Sequence, residues 1–148
     1  MLTRDAATEL VLVAKAAKGL SFAQIAERIG YHEVWTATAL MGQATLSAAE
    51  AQAVGDLLDL APDVVTALQR IPARGAYDGR VPVDPLLYRF FEIIQVFGPA
   101  IKGVIEEKFG DGIMSAIDFE LDIERRPDPR GDRVVVTLNG KFLPYRTW

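Results

Sequence analysis

The chain has 148 residues, half of them apolar, with 16 Lys and Arg against 20 Asp and Glu, a net charge of −4. This is enough chain for one domain or two small ones with a proper core, and the wrong sign of charge for nonspecific attraction to nucleic acid or anionic lipid. With no Cys and a single His, His32, the composition excludes disulfides, thiolate zinc sites, cysteine nucleophiles and any metal held by several imidazoles.

The first seventy residues read as a helical bundle. Helices are predicted over Arg4–Lys18, Phe22–Ile29, Glu33–Met41, Ala48–Leu58 and Pro62–Arg70, with Gly19 and Gly30 where helices stop. Ser21-Phe22-Ala23-Gln24 and Ser47-Ala48-Ala49-Glu50 each fit the capping box, in which a Ser hydroxyl and a Gln or Glu side chain satisfy the orphan amides of a helix start. SFAQIAERIG followed by YHEVWTATALMG has the outline of a helix-turn-helix, so a repressor-like DNA reader is an alternative to weigh. Yet Met1 to Arg70 carries five bases and eight acids, a net of −3. The would-be recognition helix EVWTATALM also has no Arg, Lys, Asn or Gln to read a base edge or hold a phosphate. Packing is the better use of the motif, and no nucleic-acid partner is expected. No apolar run approaches the roughly 20 residues of a membrane span, and MLTRDAATEL is not a signal peptide, so the expectation is a cytoplasmic chain with no membrane partner.

Pro72 to Pro82, PARGAYDGRVP, reads as a connector, dividing the chain into a helical domain at 1–75 and a second domain at 76–148. Asp84-Pro85 opens a new helix, expected to run to Phe97; Gly98-Pro99 is expected to stop it, and PAIKGVIEEKF to make another before Gly110. The period then changes to alternation. In AIDFELDIE the acids Asp118, Glu120, Asp122 and Glu124 face one way and Ile117, Phe119, Leu121 and Ile123 the other, as in a half-buried strand. PDPRGD makes a turn, RVVVTL returns, and Asn139-Gly140 is expected to turn again before KFLPY. The fold class is α+β. A strand unit this small is marginal alone and is expected to pack on its own helices or on another copy of the chain.

Within YRFFEIIQVFG, Tyr88 to Gly98, apolar residues lie on nearly every side, which predicts a helix buried all round. Arg89 and Glu92 nevertheless sit one turn apart inside it, with Gln95 a step further. A structural ion pair is the plain reading; an oriented guanidinium in a dry place also suits a small anion. GDGIMSAI, Gly110 to Ile117, offers further donors: glycines that let backbone approach closely, then Ser115, whose hydroxyl can donate. The acidic row of the strand reads as a solvated face, because one strand lines carboxylates up without wrapping them around an ion, and no metal is expected. His32 reads as a surface or capping residue, Trp35 and Trp148 as packing residues.

LYRFFEIIQVFG, followed by EKFGDGIMSAIDFELDI and the closing NGKFLPY block, closely resembles the cyanase (cyanate hydratase) family, and SFAQIAERIG, GQATL and IPARG fit its helical N-terminal part. The resemblance covers nearly the whole chain. It implies a repressor-like helical bundle followed by a small C-terminal α+β dimerisation domain with intertwined strands, assembled as a homodecamer, a pentamer of dimers, with active sites between subunits. It implies a carbon–nitrogen lyase that converts cyanate and bicarbonate to carbamate and carbon dioxide, with Arg89, Glu92 and Ser115 catalytic, bicarbonate as co-substrate and no cofactor. Two positions depart from the pattern: Ala76 stands where many members have cysteine, and the tail RTW is this chain's own. A non-catalytic oligomer is the remaining alternative.

Overall fold

The computed structural model describes residues 2–74 and 79–148, so the predicted domain boundary at 75/76 and the Ala76 position lie outside the described residues. The chain divides into two compact units, Met1–Ala76 and Tyr77–Trp148. Among the described residues, no helix is long and apolar enough to cross a membrane.

The N-terminal unit holds α1 (Arg4–Ala17), α2 (Phe22–Ile29), α3 (Glu33–Leu40), α4 (Ala48–Leu58) and α5 (Pro62–Leu68). Both capping boxes form: Ser21 with Gln24 opens α2 and Ser47 with Glu50 opens α4. His32 caps α3 by accepting from the Val34 amide. The five helices enclose one core built on Val11, Ile25, Leu40, Leu46, Val54, Leu58 and Leu68. Gly55 is part of that packing: a Cβ there would stand 2.5 Å from Val65 Cγ2, so the missing side chain lets α5 approach α4. The helix-turn-helix outline is used for packing, since α2 buries Ile25 and Ala26 and α3 buries Thr36, Ala39 and Leu40. Trp35 stacks on Tyr31 with ring centroids 4.3 Å apart and packs on the edge of the core.

The C-terminal unit consists of α6 (Pro85–Phe109) and an antiparallel pair, β1 (Gly112–Arg126) and β2 (Arg133–Pro144). Asp84 caps α6, its carboxylate accepting from the amides of Leu86 and Leu87. Three sequence expectations are corrected here. Gly98-Pro99 does not stop the helix; α6 runs through Pro99 for 25 residues. A proline disfavours helical backbone in the residue before it partly through that residue's Cβ, and Gly98 has none. Asn139-Gly140 is not a turn either, because both residues lie inside β2, paired with Glu120 and Phe119. Finally, within the single chain α6 is not buried all round: it has no buried residue, and Leu86, Ile94, Val96 and Phe97 are each more than half exposed. Apolar side chains of the hairpin are open as well, Ile117 and Val134 above all, and Trp148 is fully exposed rather than packed.

Candidate active site

Arg89 and Glu92 lie on the second and third turns of α6, where spacing of three puts them on one face. They pair at 2.7 Å, Arg89 Nη1 donating to Glu92 Oε2, and the guanidinium also stands 5.2 Å from the Tyr88 ring centroid. Their side chains are 60% and 44% exposed. The pair therefore is not a charge hidden in a helical core; in the single chain it is an open guanidinium held in one orientation by a carboxylate and flanked by uncovered apolar surface.

Ser115 is built differently. It is one of two buried polar residues among those described, 6% exposed, and it opens an irregular stretch of β1. The ladder pairs Gly112 with Pro144, Ile113 with Leu143 and Met114 with Phe142, then resumes at Phe119 with Gly140. Ser115 to Asp118 thus bulge out of β1 opposite the single residue Lys141. Ser115 closes the bulge on itself: its Oγ accepts from the amides of Ile117 at 3.1 Å and Asp118 at 3.0 Å. A hydroxyl has two acceptor positions and one proton to donate. With both acceptor positions taken by amides, Ser115 is left as a donor with its proton to place, the polarity an anion requires.

The far end of the bulge carries Asp118, 3.6 Å from Lys141 Nζ, and Asn139 Nδ2 donates to Glu120 at 3.3 Å. The acidic row Asp118, Glu120, Asp122, Glu124 is therefore partly tied across the strands. Among the described residues no three His, Cys, Asp or Glu side chains gather as metal ligands would.

Among the described residues no hydrogen bond joins Arg89 to Ser115. From Arg89 to Phe109 the helix rises about 30 Å at 1.5 Å per residue, while the six residues from Phe109 to Ser115 can retrace about 20 Å at most. The chain carries an oriented cation on α6 and an oriented donor on β1, each held by its own local hydrogen bonds. The sequence points to Arg89 and Glu92 as a pair by spacing and to Ser115 as a donor by type, and their catalytic roles come from the resemblance. It does not reveal Gly140 as a strand residue paired beside the bulge, because Asn-Gly between alternating residues imitates a hairpin turn.

The family model described as Cyanate hydratase, N-terminal, matches residues 4–72, and that described as Cyanate lyase C-terminal domain matches residues 79–147. Cyanate hydratase of Thiobacillus denitrificans is 58% identical over 99% of this chain and all of its own length. Cyanate hydratase of a Synechococcus species is 55% identical over 95% of this chain and 94% of its own. The crystal structure of cyanase from T. urticae superposes with a TM-score of 0.82 at 37% identity, covering 93% of this chain and 96% of that one.

Proposed function

The chain belongs to the cyanase family, and from that premise we propose that it is a cyanate hydratase: it decomposes cyanate with bicarbonate to carbamate and carbon dioxide, the carbamate then giving ammonia and carbon dioxide. The observation that supports it most is that both family halves lie in one chain, in order and over nearly its full length. Carbon keeps its oxidation state from cyanate through carbamate to carbon dioxide, so no electron carrier is called for and positioning of the two anions carries the rate.

Two unit charges about 4 Å apart repel by roughly 4 kcal/mol at an effective dielectric near 20, and the site must offset this before the anions can react. Arg89 supplies the positive charge, and Glu92, bonded to it at 2.7 Å, orients the guanidinium. Ser115 donates its proton to one anion. As a nucleophile it would need a base, and the bonds described at its oxygen are both to amides, of Ile117 and Asp118. A bicarbonate oxygen attacks the cyanate carbon, giving a mixed dianion. Cleavage of the bond to the bicarbonate carbon releases carbon dioxide and leaves carbamate, with the bicarbonate proton and one further proton ending on nitrogen. In this reading Glu92, the carboxylate beside Arg89, relays that second proton from solvent.

Separation of Arg89 from Ser115 along the chain, together with the uncovered apolar faces of α6 and the hairpin, supports a site formed between subunits in a decamer of five dimers. The test is ammonia release from cyanate by the purified protein, with and without bicarbonate, in solutions stripped of carbon dioxide. Release that depends on bicarbonate is the expected result. No release in either condition from a folded assembly would leave the family scaffold without its chemistry.

A further inference from the structure

We propose that Gly140 is a positioning residue for this reaction: its lack of a side chain lets β2 lie against the β1 bulge and hold Ser115 where its hydroxyl can reach substrate. The inference rests on the reading of Ser115 as a substrate-binding donor. Gly140 pairs with Phe119, the first residue after the bulge, and marks where the two strands close up again. A Cβ on it would fall inside the contact radius of the Ser115 carbonyl oxygen, 2.6 Å from Met114 Cγ and 3.2 Å from Phe119 Cδ2. The first of these neighbours is backbone, and it belongs to Ser115 itself. Any side chain at position 140 therefore pushes directly on the peptide that carries the hydroxyl.

Glycine here is explained by that approach and not by backbone freedom, since Gly140 is absent from the positive-φ glycines of the chain. The side-chain interactions described around the bulge are few. Its two internal hydrogen bonds both end on Ser115 Oγ, and Ile117 is 97% exposed. Its one cross-strand ion pair, Asp118 with Lys141, joins side chains that are 67% and 64% exposed, which makes it weak. The backbone contact between Ser115 and Gly140 is the firm one. A displacement approaching 1 Å is enough to cost on the order of 100-fold in rate.

The experiment is a double-mutant cycle on kcat/KM for bicarbonate-dependent ammonia release, using Gly140→Ala, Ser115→Ala and the two combined, with assembly checked by light scattering. Each single variant is expected to lose on the order of 10- to 100-fold, and the double variant to lose no more than Ser115→Ala alone, because there is then no hydroxyl left to misplace. A merely structural glycine would give losses that multiply; multiplied losses, or a Gly140→Ala enzyme as active as the parent, would overturn the inference while leaving Ser115 its role. Full activity in Ser115→Ala would instead overturn the reading of Ser115, and the inference with it. Should Gly140→Ala not assemble, Met114→Ala is added to remove the side-chain part of the clash, and failure of that variant to fold would make Gly140 a determinant of the hairpin alone and overturn a role at the site.

Discussion

At the scale of single residues, the proposed mechanism asks different things of Arg89 and Ser115, charge in one case and a directed proton in the other. Replacing Arg89 by Ala removes the only cation assigned to the site and is expected to lower kcat/KM at least about 100-fold. Arg89→Lys keeps the charge but loses the planar fork that Glu92 holds, so its activity should fall between the two; equal activity of Lys and Arg enzymes would show that orientation is irrelevant. Glu50 offers a residue-scale test of stability. Its carboxylate accepts from the Ser47 amide at 2.7 Å and from the Tyr31 hydroxyl at 2.7 Å, and these bonds, the Ser47 backbone bond foremost, lower its pKa below the ordinary 4.5. A lowered carboxylate pKa stabilises the fold fully above the unfolded value, and that contribution is lost as pH falls through the folded one. Acid unfolding of the N-terminal unit, followed by circular dichroism below pH 4.5, should be less steep in Glu50→Gln than in the parent. Glu50 was legible as a cap from the Ser-x-x-Glu spacing, whereas its Tyr31 partner was not, because nineteen residues separate them and only the packing of the bundle brings them together.

At the scale of elements, the five N-terminal helices were readable to within two residues at their ends because caps and stops are local chemistry. The second half was less readable wherever a local signal had two meanings. Gly-Pro normally ends a helix, but in α6 it costs one amide bond to the Gln95 carbonyl and is carried by the turns on both sides. Restoring that bond with Pro99→Ala is expected to stabilise α6 by up to about 3 kcal/mol, read as a higher thermal midpoint. A lower midpoint would mean that the assembly requires the helix shape Pro99 imposes. Asn-Gly likewise has two meanings, turn or close approach, and only the register of β1 against β2 selects the second.

At the scale of the whole molecule, the two units are finished to different degrees. The N-terminal unit closes a core by itself, with side chains from all five helices at or near zero exposure. In the C-terminal unit α6 buries nothing, and the hairpin meets it at the Phe109–Phe142 ring stack, 5.2 Å between centroids. Apolar surface on that scale is what the proposed assembly would cover, and a two-stranded hairpin needs further packing to be stable. Placing a charge there, as in Val96→Asp one turn beyond Glu92, should disperse the assembly in light scattering. Ammonia release should disappear with it, while the helical signal of the N-terminal unit persists. A fully active, full-size Val96→Asp protein would place the interface elsewhere.

The sequence by itself determined the α+β class, the caps and the order of helices before strands, because these depend on residue type and short-range spacing, while the roles proposed for Arg89, Glu92 and Ser115 came through the resemblance to a family. Tertiary structure decided that α6 is one helix, that β1 bulges at Ser115, that Ser115 accepts from two amides of its own bulge, and that within the single chain α6 has no buried residue. Each of these depends on which backbone approaches which, and a contact between residues 115 and 140 leaves no periodicity in the sequence from which it could be read.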